Sequence, residues 1–92
     1  MTFAEEIEDA VGGAEYIEAI ALSESREVYW NEINRLMTWA EARDELNYEY
    51  YCGYGSQDCH NIYVWTRDRI YSIHEYDGST GIISVPRHPE YL

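Results

Sequence analysis

The sequence predicts an α+β domain, with two short N-terminal helices and one long helix packed on a C-terminal three-stranded antiparallel meander. A chain of 92 residues with 46% hydrophobic content can bury one modest core, so we expect a single domain over residues 1–92. Apolar residues recur every three or four positions in the first half, which is typical of amphipathic helices. In residues 61–85 they alternate instead, between turn-forming residues, which is typical of strands.

The first helix is predicted from its end signals. Thr2 followed by Glu5 fits a capping box, in which the threonine oxygen accepts a bond from a free backbone amide and the glutamate reaches back. Phe3 and Ile7 mark its apolar face. Gly12 and the glycine after it should end the helix, because glycine tolerates the left-handed geometry of a C-terminal cap.

Two further helices are predicted before residue 47. The second runs Ala14–Leu22, with Ile17 and Ile20 directed inward and Glu15 and Glu18 outward. The third and longest starts after an N-cap at Ser23 or Ser25 and ends near Leu46. Its apolar stripe comprises Tyr29, Trp30, Ile33, Leu36, Met37, Trp39 and Ala40.

A loop and three strands are predicted for the remainder. Tyr48–His60 carries two glycines with Ser, Gln and Asp, a composition typical of a loop. In the strand that follows, Ile62 and Val64 alternate with Tyr63 and Trp65. The strands are Asn61–Thr66, Arg69–Tyr76 and Gly81–Val85, with turns at Arg67-Asp68 and Asp77-Gly78.

Charge is the outstanding feature of the composition. Eighteen acids face six arginines, there is no lysine, and the net charge is −12. Residues 1–50 hold thirteen of the acids and three of the arginines, a net charge of −10. A surface with this balance repels nucleic acid and anionic membranes and attracts basic protein surfaces. We therefore expect neither direct nucleic-acid binding nor a membrane partner, and an N-terminus carrying acids where a secretory signal needs cations indicates a cytoplasmic protein.

The sequence offers little support for an enzyme, a metal centre or a cofactor. Six residues separate Cys52 from Cys59, and Cys59 adjoins His60, whereas zinc sites usually combine two close ligand pairs. A disulfide between these cysteines and two reduced thiols remain the alternatives. No nucleophile elbow or phosphate-binding loop is present, so we expect no catalytic residues, no metal and no cofactor.

The acids of the first half are the candidate binding residues. On a helix, carboxylates three or four residues apart lie about 5–6 Å from one another along one side. Neighbouring phosphates on a nucleic-acid strand have a similar spacing, so such an array can imitate a backbone. The alternative is a solvated helix face kept soluble by its charge. Tyrosines of the loop would supply contact area. The predicted partner-binding residues are Glu5, Glu8, Asp9, Glu15, Glu18, Glu24, Glu27, Tyr48, Tyr50 and Tyr54, with Glu41, Asp44 and Glu45 at the same spacing.

This profile of short length, pI near 4.3, ten tyrosines and no catalytic motif resembles the small inhibitors that phages make against host defence, the anti-CRISPR and DNA-mimicking anti-restriction proteins. The segment 62–87 also looks like the end of small mobile-element proteins. The resemblance implies stoichiometric binding to a basic nucleic-acid groove of a CRISPR-Cas or restriction complex, in the host cytoplasm. An acidic immunity-type or adaptor protein that neutralises a basic toxin or enzyme is the alternative.

Overall fold

The computed structural model describes residues 1–26, 32–50, 59–76 and 79–88. Over these residues the chain is mostly sheet. The elements are α1 (Phe3–Val11), a 3-10 turn (Ala14–Tyr16), β1 (Ala19–Ser23), β2 (Ile33–Met37), α2 (Trp39–Glu45), β3 (Ile62–Trp65), β4 (Arg69–Tyr76) and β5 (Ser79–Pro86).

The strands form one antiparallel sheet in the order β2-β1-β3-β4-β5, and both helices lie on the same side of it. The predicted architecture is therefore wrong. In place of three helices on a three-stranded meander, the described residues form two short helices on a five-stranded sheet.

The first helix begins and ends where its cap signals predict. The Thr2 side chain accepts the amide of Glu5 at 3.2 Å, and the Glu5 carboxylate accepts the amide of Thr2 at 2.9 Å. Gly12 adopts the left-handed conformation with φ 91°, and its amide donates to the last turn of the helix. The capping box and the glycine terminator are both confirmed.

The second predicted helix, Ala14–Leu22, is wrong. Only the single 3-10 turn lies there, and Ala19–Ser23 form strand β1 between β2 and β3. Four of its five residues are buried, including Ala21 on the side opposite the helices. A strand in the interior of a sheet that carries apolar residues on both faces has a continuous apolar run, which periodicity alone does not distinguish from a buried helix.

The long predicted helix, from Ser23 or Ser25 to near Leu46, is also wrong. Ser23 ends β1, residues 33–37 form β2, and among the described residues of this range helix occurs only at α2. In β2, Ile33, Arg35 and Met37 alternate in burial with more exposed neighbours, a period of two. Residues 27–31, with the expected Tyr29 and Trp30, lie outside the described residues.

Strands β3, β4 and β5 pair in order and antiparallel, as the predicted meander requires. They form one part of the five-stranded sheet and not a sheet of their own. Arg67-Asp68 form the predicted tight reversal, closed by the Thr66 amide donating to the Arg69 carbonyl at 3.0 Å. The expected turn residues Asp77 and Gly78 lie outside the described residues, between strands that pair up to Tyr76 and Ser79.

The core lies between the sheet and the two helices. Backbone bonds seat α1 on the segment that follows α2: the Phe3 amide donates to the Tyr48 carbonyl at 2.7 Å, and the Ala4 amide to the Leu46 carbonyl at 3.0 Å. The buried residues are Phe3, Ala4 and Ile7 of α1, Ala42 and Leu46 of the α2 region, Ile20 and Leu22 of β1, and Cys59, Ile62 and Val64.

Candidate partner-binding surfaces

The two helices are joined by one carboxylate. Glu8 of α1 accepts hydrogen bonds from the Trp39 indole at 2.9 Å and from Arg43 Nε at 3.0 Å. The Arg43 hydrogen bond, followed by the Trp39 bond, lowers the pKa of Glu8. Glu5 and Asp44 also lie within the electrostatic field of Arg43. Carboxylates of both helices are therefore grouped around a single arginine.

The acids that are exposed or partly exposed on the helices form a negatively charged surface. Glu5 and Glu41 cap α1 and α2 through Thr2 and Thr38, and backbone hydrogen bonds in these capping boxes lower the pKa of both carboxyl groups. In the described part of the chain, the side chains of Glu6, Asp9 and Asp44 have no ion-pair partner. The helical acidic surface is defined here as Glu5, Glu6, Asp9, Glu41 and Asp44.

The other acids predicted to bind a partner do not extend this surface at helical spacing. Glu15 is exposed on the 3-10 turn, and Glu18 precedes β1 and pairs with Arg87. Glu24 follows β1, with its carboxylate 3.7 Å from Arg35 Nε. Glu27 lies outside the described residues. The helical spacing expected for these four residues is therefore absent where the chain is described, and it applies only to α1 and α2.

Two of the three tyrosines predicted to bind a partner pack against the core. The ring centroids of Tyr48 and Tyr50 lie 5.9 and 5.1 Å from that of Phe3, and both side chains pack against the core. The Arg26 guanidinium lies over the Tyr48 ring at 3.7 Å from its centroid. Tyr54 lies outside the described residues. Partial burial leaves Tyr48 and Tyr50 less ring surface for a partner than a free loop would offer.

A polar network centred on the buried His60 joins the end of α2 to the residues that precede β3. His60 Nε2 lies 3.1 Å from a Glu45 carboxylate oxygen, and His60 Nδ1 lies 2.8 Å from the Tyr48 hydroxyl. That hydroxyl accepts the His60 backbone amide at 2.9 Å, so its own proton is directed to Nδ1. This arrangement puts the imidazole proton on Nε2, where it is donated to Glu45.

Arg35 completes the network from the edge strand. It binds the Glu45 carboxylate through both terminal nitrogens and donates to the Ser23 carbonyl at 2.6 Å. The Arg35 hydrogen bond lowers the pKa of Glu45, and burial lowers the pKa of His60. The imidazole, only 5% exposed, has both nitrogens occupied within the fold, which suits a structural role.

Cys59 is buried in the core beside His60, and Cys52 lies outside the described residues. Among the residues that the structure describes, no group of three or more His, Cys, Asp or Glu side chains is arranged to hold a metal ion. The expectations of no metal, no cofactor and no catalytic residue remain predictions.

The side of the sheet opposite the helices is apolar and uncovered by any described element. Residues paired across an antiparallel sheet project to the same side. One row across the strands reads Leu36, Ala21, Tyr63, Ser72, Ile83, and the next reads Ala19, Trp65, Ile70, Val85. We define these nine residues as the open sheet face. Leu36 is 71% exposed, Val85 51%, and Tyr63 and Ile83 each 44%.

A shallow hollow of about 280 Å³ lies at one margin of the open sheet face. It is lined by Ala19, Leu36 and Trp65 together with the ion pair of Glu18 and Arg87. A second hollow of about 450 Å³ lies near the Arg67-Asp68 reversal, where Glu15, Tyr16 and Tyr71 contribute to its wall.

The open sheet face was missed in the sequence, although one strand signals it. In Asn61–Thr66, the residues that alternate with Ile62 and Val64 are Tyr63 and Trp65, so both sides of the strand are apolar. A strand of a sheet with one solvated face normally alternates apolar with polar residues. The aromatic alternation therefore indicates a second contact surface.

No protein-family model, curated protein or solved structure matches the chain. Among the described residues, no helix has the length and apolarity needed to cross a membrane.

Proposed function

We propose that this protein is a stoichiometric inhibitor of a host nucleic-acid-handling defence complex, of the anti-CRISPR type. The helical acidic surface binds a basic groove that otherwise holds nucleic acid and thereby blocks DNA access. The protein acts in the host cytoplasm without catalysis.

The observation that carries this proposal is the uncompensated charge of the helical layer. Arg43 is the single basic residue of α1 and α2, and it is bound to Glu8. Asp9 and Asp44 are exposed and Glu6 is partly exposed, and none of the three has an ion-pair partner among the described residues. Maintaining like charges on neighbouring helices destabilises the folded state, and attraction to a basic surface offsets that repulsion.

Fewer acids are available to bind a basic partner than the sequence suggests. Glu8, Glu18, Glu24 and Glu45 lie in ion pairs within the chain. The helical acidic surface then acts mainly on association rate and on salt sensitivity, as exposed charges at the margin of an interface do.

The test uses purified CRISPR effector complexes and restriction enzymes, each titrated with the protein in the presence of a fluorescent target duplex. For the true target, one equivalent should prevent DNA binding, and inhibition should weaken as salt rises because exposed charges are screened over about 8–10 Å at physiological ionic strength. Asp9→Lys/Asp44→Lys should slow association about tenfold or more. Glu32→Lys/Asp68→Lys is the matched control, because it makes the same change of net charge at exposed acids outside the helices.

Two outcomes would contradict the proposal. Inhibition that ignores both salt and the Asp9→Lys/Asp44→Lys change would exclude a role for the helical acidic surface. A panel in which every complex still binds DNA, together with tight binding to a purified basic nuclease toxin, would favour the immunity-type alternative.

A further inference from the structure

We propose that the open sheet face binds a second copy of this chain, so that two sheets pack face to face with the helices outside. This inference is independent of the proposed inhibitor function. It rests on the composition of the face, on the distribution of charge between the two sides of the sheet, and on its area.

The composition of the face is that of an interface core. Eight of its nine residues are apolar or aromatic, the exception being Ser72, whose hydroxyl donates to the Ile62 carbonyl at 2.9 Å. Tyr63 and Trp65 lie on β3, the central strand of the five, with ring centroids 6.1 Å apart. Large aromatics at the centre of a patch, ringed by smaller apolar side chains, are typical of the residues that dominate binding energy.

The distribution of charge favours a second copy over a basic partner at this face. Both rows across the strands are without an acidic or basic side chain, so a basic groove would find no complementary charge there. The helical acidic surfaces lie on the other side of each sheet. Packing the open faces together therefore keeps those acids outside the contact and separates them by two layers of sheet.

The area of the face is sufficient for a specific dimer. With about 4.8 Å between strands and about 3.3 Å per residue, five strands of five residues span roughly 24 by 17 Å, or about 400 Å² in projection. Side-chain relief and the longer strands β4 and β5 raise the accessible area above this projection. Two such faces make about 800 Å² in projection, and side-chain relief raises the accessible area that they bury to on the order of 1,200 Å², the lower bound for specific interfaces.

A two-fold arrangement also uses the hollow beside Trp65. Stacked sheets pack about 10 Å apart with interdigitating side chains, so protruding residues of one copy need depressions in the other. Leu36 and Val85 protrude from the face. The small side chains of Ala19 and Ala21 leave a depression between Leu36 and the aromatic rings of β3. The same surface thus supplies both shapes, as an isologous contact requires.

Sedimentation equilibrium of the intact protein from about 1 to 300 μM tests this inference. We expect a monomer–dimer equilibrium with a dissociation constant in the micromolar range, consistent with an interface at the lower size bound. Leu36→Arg and Val85→Lys, made separately at exposed positions, should each weaken the dimer about 10- to 100-fold, because each removes an apolar contact and places a charge in it.

The matched control is Tyr16→Arg. Tyr16 is also a large exposed apolar residue, 57% accessible, but it lies on the 3-10 turn after α1 and not on the open sheet face. This variant should leave the dimer unchanged. Raising salt should strengthen the dimer or leave it unchanged, since screening reduces repulsion between two chains of net charge −12. Binding to a basic target would show the opposite salt dependence.

A wild-type protein that stays monomeric at 300 μM would overturn the inference. So would a dimer that survives both Leu36→Arg and Val85→Lys, because pairing through the exposed edge of β5 tolerates side-chain changes on the face. Circular dichroism of each variant at low concentration verifies that the fold is retained. Neither result bears on inhibition of a defence complex, which the DNA-binding titration reports separately.

Discussion

The two faces of the sheet differ in what covers them. The face under the helices is closed by Phe3, Ile7 and Leu46, and the layer outside it is acidic. The opposite face carries aromatic and aliphatic side chains with no described element over them. An apolar residue can therefore serve stability on one face and association on the other, and burial in the single chain distinguishes the two roles.

A pair of leucine substitutions gives the largest expected difference between the faces. Leu22 is fully buried on β1, whereas Leu36 on the adjacent strand β2 is 71% exposed. Leu22→Ala should lower the free energy of unfolding by about 2–5 kcal/mol through lost burial and cavity formation. Leu36→Ala should change it by less than about 0.5 kcal/mol. Urea unfolding at about 1 μM protein measures both changes on the monomer.

Equal losses for the two leucine variants would contradict the assignment of the faces. If Leu36→Ala alone were destabilising, β2 would have to project the opposite set of residues toward the helices.

The polar network centred on His60 should give the next largest effect. His60→Ala removes the imidazole hydrogen bonds to the Tyr48 hydroxyl and to the Glu45 carboxylate, while Arg35 still binds Glu45. Losing these two hydrogen bonds should cost about 1–3 kcal/mol of unfolding free energy. Tyr48→Phe, which removes one member of the network and keeps the ring, should cost less. A Tyr48→Phe variant less stable than His60→Ala would show that the hydroxyl, and not the imidazole, organises the network.

The network also predicts a pH dependence. Burial lowers the pKa of His60 below its ordinary 6.5, so the unfolded chain takes up the proton at a higher pH than the folded chain. Stability should therefore be complete above pH 6.5 and fall as the pH drops below it. His60→Gln should lose this part of the profile and decline only nearer pH 4.5, where the lowered pKa of Glu45 acts in the same direction. Thermal unfolding from pH 8 to 4 measures the profile.

His88 supplies the control for this titration. It is an exposed histidine outside the network, so His88→Gln should reproduce the wild-type profile. A profile for His60→Gln that overlays the wild type between pH 7 and 5 would remove His60 as the source of the effect.

The helix caps should give a smaller, matched pair of effects. Thr2 and Thr38 each accept an amide of their own helix, at 3.2 and 3.3 Å. Thr2→Ala and Thr38→Ala should each lower the free energy of unfolding by about 1 kcal/mol. Thr→Ser at each site keeps the oxygen and should recover most of the loss. Failure of serine to recover stability would point to packing of the methyl group and not to capping.

Helix-capping residues predict the helix ends well. The wrongly predicted helices are those that rest on the spacing of apolar residues alone. The Thr2 and Glu5 signature located α1 to the residue, and the same Thr-x-x-Glu signature at Thr38 and Glu41 marks the start of α2. The long predicted helix runs through this second signature, because an apparent 3–4 apolar spacing continues through β2, where Arg35 projects toward the core to meet Glu45. The pairing of Arg35 on a strand with Glu45 on a helix ten residues later cannot be inferred from local pattern.

The candidate surfaces were predictable to different degrees. The excess of acid in the first half is visible in the composition, but which carboxylates remain exposed depends on long-range partners such as Arg87 for Glu18, 69 residues apart. In the sequence, Tyr48 and Tyr50 belong to a predicted loop and have no evident partner. In the structure, Phe3 of α1 packs against both rings. The open sheet face needed the register of four strand pairings, which no single segment contains.

The smallest expected difference concerns two ion pairs, one on each side of the sheet. Glu8 and Arg43 join α1 to α2 and share the Trp39 indole, whereas Glu18 and Arg87 lie at the margin of the open sheet face. The Glu8 side chain is the less exposed of the two acids, at 23% against 51% for Glu18. Because solvent screens exposed pairs, a double-mutant cycle with glutamine at each site should give the larger coupling for Glu8–Arg43, although a smaller effect than either cap. At about 1 M salt, where the screening length is roughly 3 Å, the Glu18–Arg87 coupling should vanish first. Equal couplings with equal salt dependence would show that the helical face shields its charges no better than the open face does.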